Sequence, residues 1–202
     1  MKFSKNTLIR YNDEKIQIKE TAPMKNRQRI YKTVLSALFL ALAYVLPFFT
    51  GQIPEIGAML CPMHVPILLC GFICGPAYGM AVGFIAPLLR SLTIGMPPIF
   101  PTAVCMAFEL LTYGAMAGLM HRHLPRKKPF IYCSLIISMI AGRLVWGAAM
   151  FLCTVGKGGF TLAAFIAGAI TNAIPGIIIQ IILIPILVML FDRRGASGVG
   201  KI

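Results

Sequence analysis

The sequence predicts an all-α membrane protein with six transmembrane helices and both termini in the cytoplasm, and three observations carry that prediction. The 202 residues are 58% hydrophobic and only 12% charged, whereas an ordinary soluble domain is roughly a quarter charged. Uncharged stretches cover residues 33–52, 56–89, 91–108 and 158–191, and a helix needs roughly 20 apolar residues to cross a bilayer core. The 19 Lys and Arg are clustered: nine lie within residues 2–32, four within 122–128, and three at Arg193, Arg194 and Lys201.

Residues 1–30 read as a basic cytoplasmic tail. They do not resemble a cleavable secretory signal, because a long polar stretch precedes the first apolar segment and no small-residue cleavage site follows it. The first span is expected at 31–47, followed by an outer connection carrying Gly51, Pro54 and Glu55, which are turn and loop signals. The next apolar run is too long for one crossing. Gly75-Pro76 is its natural break, since proline cannot continue a helix and disfavours helix in the residue before it. This places the second span at 58–73 and the third at 77–93.

The connection 95–101 is uncharged and rich in proline, which suits a stiff outer loop before a fourth span at 102–120. The basic run from His121 to Lys128 marks the return to the cytoplasm. A fifth span is expected at 130–153, a glycine-rich outer turn at Gly156-Lys157-Gly158-Gly159, and a sixth span at 162–191. Residues 31–191 thus form the transmembrane domain, and 192–202 form a second cytoplasmic tail. The sixth segment is long for one helix, and Asn172-Ala173-Ile174-Pro175-Gly176 is where a break or kink would fall.

With this topology the three basic clusters share one side, as insertion requires of cytoplasmic segments. The net charge of +13 therefore reports membrane orientation and not nucleic-acid binding. Cys61, Cys70, Cys74, Cys105, Cys133 and Cys153 lie in or beside apolar segments without metal-ligand or redox spacing, so they read as small hydrophobes. His121 and His123 belong to the basic inner loop. There is no phosphate-binding glycine loop, so any ATP hydrolysis would come from another subunit. No serine has a nucleophile setting and no pair of intramembrane aspartates exists, so the chain reads as non-catalytic, with no cofactor and no metal.

Ionisable side chains at membrane depth cost at least about 2.5–3.5 kcal/mol and usually face a cavity or a partner. Here they are Arg90, Glu109 and Arg143, all in the outer half of their spans. His64, Asn172 and Tyr113 fall at comparable depths, and Trp146 lies one turn from Arg143 on the same face. Together they describe a substrate pocket open to the outside, fit for a small polar or anionic molecule. Glu109 is free to pair with Arg90 or with Arg143. Two arginines against one acid leave a positive charge that favours a carboxylate or phosphate.

Small residues recur at helical spacing in Ala37/Ala41, Gly71/Gly75/Gly79/Gly83, Gly114/Gly118 and Ala164/Gly168, which allows helix backbones to approach closely in lipid. The stretch from Gly71 to Gly83 is similar to the glycine-rich turn between helices two and three of the substrate-binding S components of energy-coupling factor (ECF) transporters. Ala37-Leu38-Phe39-Leu40-Ala41 resembles the alanine motif by which those proteins dock. The resemblance covers residues 34–191 and implies a subunit of an ABC-type importer in a prokaryotic plasma membrane. It would capture a vitamin or related micronutrient from outside, under the loops after spans one and five, and work with a transmembrane scaffold subunit and two ATPases. It would then topple in the membrane to release its cargo. Residues 90–98 resemble pantothenate-type members, while riboflavin, folate, a pyridoxine-like compound and a queuosine precursor stay open. The alternatives of a different class are a stand-alone secondary transporter or channel and an intramembrane enzyme.

Overall fold

A computed structural model describes residues 26–50, 59–125, 128–154, 161–169 and 173–198. The described residues are mostly helical, with no strand among them. Helix α1 is Asn26–Phe49, α2 is His64–Cys74 and α3 is Pro76–Ile94. A wide π turn at Ile99–Ala103 leads into α4, Val104–His123. Helix α5 is Lys128–Thr154, α6 is Leu162–Ala169 and α7 is Ile174–Gly198.

Backbone contacts separate residues 1–34 from 35–202. Of the first unit, residues 26–34 are described and form the opening turns of α1, where Thr33 Oγ1 donates back to the Arg29 carbonyl at 3.0 Å. The second unit holds the rest of α1 and the other described helices.

Among the described residues, five helices are long and apolar enough to cross a membrane: α1, α3, α4 together with its leading turn, α5, and α7 as far as Phe191. The expected second span is shorter. Its helix has 11 residues, about 16 Å at 1.5 Å per residue. Before it, Cys61 takes a left-handed φ of 46° and precedes Pro62, which disfavours helix at that position. The expected sixth span is two helices, α6 of 8 residues and α7 of 25. Helix α7 opens at Ile174, within the Asn172-to-Gly176 stretch singled out in the sequence, and Asn172 itself lies outside the described residues.

Gly75 joins α2 to α3 with φ 103°, its N–H returning to the Gly71 carbonyl at 3.1 Å, and Pro76 opens α3 where no donor is needed. The glycines on either side pack backbone against backbone. A Cβ on Gly79 would stand 2.7 Å from the Gly114 carbonyl oxygen and 2.8 Å from the Gly71 Cα. The two glycine ridges therefore face each other, and α3 and α4 run antiparallel with backbone against backbone.

Around this contact the core gathers Ile67 and Leu68 of α2, Val82 and Ala86 of α3, Leu110 and Ala117 of α4, Leu135 of α5, and Ile184 and Val188 of α7. Large apolar side chains also face outward, among them Leu92, Ile140, Leu144, Phe151 and Ile182. Their outward exposure suits a lipid environment, where burial of apolar surface does not separate inside from outside.

Helix α1 buries Ser36, Phe39, Ala43 and Pro47 and exposes Ala37, Leu38, Ala41, Leu42 and Val45. Near its end it is fastened to α3 by side chains. Tyr44 precedes Pro47 by three residues, and proline has no N–H to offer its carbonyl in the tightened final turn. The Arg90 Nη1 donates to that carbonyl at 3.0 Å.

Candidate functional site

Three helices bring four polar side chains to one place. Glu109, 2% exposed, is the single carboxylate whose side chain lies among the described residues. Its Oε1 receives Arg143 Nη1 of α5 at 3.0 Å and the hydroxyl of Tyr113 at 3.1 Å, and lies 3.5 Å from His64 Nε2 at the start of α2. All three contacts converge on one oxygen.

Local sequence explains why they can meet. Glu109 and Tyr113 are four residues apart on α4, hence on one face. Gly142 precedes Arg143 on α5, and a Cβ there would run into the Tyr113 ring, so its absence lets the phenol pack against α5. The His64 and Tyr113 rings pack edge to face with centroids 5.2 Å apart. Gly176 of α7 lies against the Met59 and Leu60 carbonyls and so braces the turn that carries Cys61.

The cluster is incompletely satisfied. Among the described residues, neither buried His64 nitrogen has a hydrogen-bond partner, nor has Arg143 Nε, and Arg143 Nη2 reaches the Cys61 Sγ at 3.6 Å. A buried donor left without an acceptor costs about 1–3 kcal/mol. By contrast, taking away one partner of a buried ion pair costs about 3–5 kcal/mol, so the Glu109–Arg143 pair also fastens α4 to α5.

Arg90 was grouped with these residues by its depth in the sequence, but it stands elsewhere. It is 4% exposed, its Nη1 donates to the Tyr44 carbonyl, and its guanidinium lies 5.1 Å from the centre of the Phe48 ring, a cation–π contact. Tyr44 Oη and Thr93 Oγ1 add a hydrogen bond of 3.1 Å between the same helices. The acid pairs with Arg143, and the charge of Arg90 is met by α1.

Trp146 stacks on Phe165 of α6 with centroids 6.2 Å apart and planes 26° from parallel. Gly147 makes room for the phenyl ring and Gly168 for the indole. Ala37 and Ala41 are exposed along α1. Among the described residues, no group of three or more His, Cys, Asp or Glu side chains is placed to hold a metal ion.

Three participants escaped the sequence reading. Cys61 looked like a small hydrophobe, although it stands three residues before His64 and next to Pro62. Gly142 was one glycine among many, and only its position beside Arg143 marks it. Phe165 carries no polar signal, and its pairing with Trp146 follows from the α5–α6 geometry.

The chain matches a protein-family model described as "ECF transporter, substrate-specific component" over residues 31–188, which is well over half its length. No curated protein and no solved structure matches it.

Proposed function

The chain belongs to the substrate-specific components of ECF transporters, and from that premise we propose that it captures a small polar micronutrient outside the plasma membrane and passes it inward with partner subunits. The observation that carries the proposal is the buried group of Glu109, Arg143, His64 and Tyr113 with its unsatisfied donors. Intramembrane ionisable groups are retained where they serve a cargo or a relay. Trp146 with Phe165 would supply an apolar wall, and Asn172 a further polar contact. Arg90 would act indirectly, by holding α1.

The pocket lies in the outer half of the bundle in this reading, with both termini and the three basic clusters on the cytoplasmic side. A vitamin-like organic anion such as pantothenate suits the guanidinium. The partners are a transmembrane scaffold subunit and two ATPases, with the exposed Ala37/Ala41 face of α1 as the docking surface. Small side chains there allow close backbone approach.

The test is mass spectrometry of small molecules released from the detergent-purified protein, wild type beside Arg143→Ala. A micronutrient released by the wild type alone supports capture at Arg143. Equal release from both removes Arg143 from the site. Uptake that persists without ATPase partners points instead to a stand-alone carrier.

A further inference from the structure

The three nitrogens of the Arg143 guanidinium are used unequally. Nη1 is committed to Glu109 at 3.0 Å. Nε–H and the neighbouring N–H of Nη2 lie side by side along the opposite edge of the planar group, the fork that matches two oxygens of a carboxylate. On that edge Nε has no partner among the described residues and Nη2 meets a sulfur at 3.6 Å. A thiol is a weak acceptor, so the strongest donor edge in the cluster is poorly satisfied. Its holder is strained as well. Cys61, with φ 46°, is the single non-glycine residue with positive φ among the described residues, a conformation costing roughly 1–2 kcal/mol. Strain of this kind persists where surrounding structure enforces it and clusters at ligand sites.

We infer that the Nε/Nη2 edge of Arg143 is the contact for the cargo and receives a planar carboxylate, with the Cys61 side chain yielding to it. Glu109 does not touch the cargo. It is a positioning residue that fixes the guanidinium plane through Nη1, and Tyr113 holds Glu109 in turn. One arginine then bridges two carboxylates, one from the protein and one from the cargo. Because Glu109 already neutralises the guanidinium, a singly charged carboxylate is easier to accommodate than a doubly charged phosphate ester. This inference rests on the capture reading and specifies the head group that reading left open.

The experiment is thermal stabilisation of the full-length protein in detergent by paired probes, each an acid with its uncharged counterpart. The pairs are pantothenate and pantothenol, nicotinate and nicotinamide, and biotin and biotinamide. An acid raises Tm and its counterpart does not. Arg143→Lys keeps the charge but has no fork, and weakens the acid's binding at least about tenfold, roughly 1.4 kcal/mol. Glu109→Gln keeps an oxygen for Nη1 and retains binding that Glu109→Ala loses, a rescue that a purely electrostatic role would not show. If Arg143→Lys fails to fold, Cys61→Ala decides: freeing the edge tightens the acid's binding.

The inference is overturned by a counterpart that stabilises as well as its acid, by an undiminished shift in Arg143→Lys, or by loss of the shift in Cys61→Ala. A cargo released from the wild type that lacks a carboxylate overturns the head-group assignment and leaves capture standing. Release of no small molecule, together with no shift from any acid, removes both.

Discussion

Helix α3 has neighbours on two sides, and they are attached by opposite means. Against α4 it is joined backbone to backbone, with Gly79 and Gly114 leaving no room for a single methyl group. Against α1 it is joined near one end by side chains: Arg90 on the Tyr44 carbonyl and the Phe48 ring, and Thr93 on the Tyr44 hydroxyl. Dispersion contacts between backbones cannot be rearranged in part, because interiors are close-packed. Hydrogen bonds from long side chains can be exchanged for others. The α2–α3–α4 block is therefore suited to holding the polar cluster in register, whereas the polar tie between α3 and α1 can be remade.

The sharpest way to break this contrast is to load the rigid contact. Gly114→Leu sets a side chain into the Gly79 carbonyl, where neither backbone can withdraw. We expect loss of the monodisperse folded protein, read by fluorescence-detected size-exclusion chromatography, since overpacking against backbone exceeds the usual penalty of about 1–3 kcal/mol. Arg143→Ala comes next. It leaves Glu109 buried and unpaired, which costs about 3–5 kcal/mol, so Tm falls and ligand is lost, while the glycine contact keeps the protein folded. Recovery of wild-type Tm in this variant would show that the pair does not join α4 to α5.

Arg90→Gln is expected to be milder. Removing a hydrogen bond from a charged donor costs about 1.5–3 kcal/mol, so Tm drops by less than in Arg143→Ala and ligand affinity is retained. A loss of ligand equal to that of Arg143→Ala would return Arg90 to the pocket. The smallest effect on the fold is predicted for Ala37→Trp combined with Ala41→Trp. Both positions are exposed, so stability stays within about 0.5 kcal/mol and ligand binding persists. Co-purification with the scaffold and ATPase subunits should be lost, and its persistence would place docking on another face.

Much of the architecture was legible because its determinants are local. Apolar run length gave the helices, Gly75-Pro76 gave the α2–α3 break, and the spacing of Gly71, Gly79, Gly83, Gly114 and Gly118 gave the ridges that meet. Glu109, Arg143, His64 and Tyr113 stood out because polar atoms at membrane depth are costly, and the structure brings these four together. Depth alone could not tell which arginine meets the acid. Rotation about the helix axis decides that, and Arg90 turns toward α1 because Pro47 leaves the Tyr44 carbonyl short of a donor. The same blindness to backbone conformation hid Cys61, whose side chain reaches Arg143 from a left-handed residue that no apolar pattern announces. The short α2 was also missed, since hydropathy registers the whole of 58–73 as apolar and says nothing of where the first helical turn begins.

That starting point has its own consequence. α2 begins at His64, well inside an apolar run, and the aligned peptide dipoles of a helix place roughly half a positive charge at its first turn. The His64 side chain touches Glu109 Oε1 at 3.5 Å, so this end of α2 lies close to the buried carboxylate and adds its positive field to that of the Arg143 guanidinium. Peptide groups supply that field, and no side-chain substitution deletes them. An alanine scan of the cluster will therefore account for less than the full electrostatic stabilisation of the site, and the remainder belongs to the main chain.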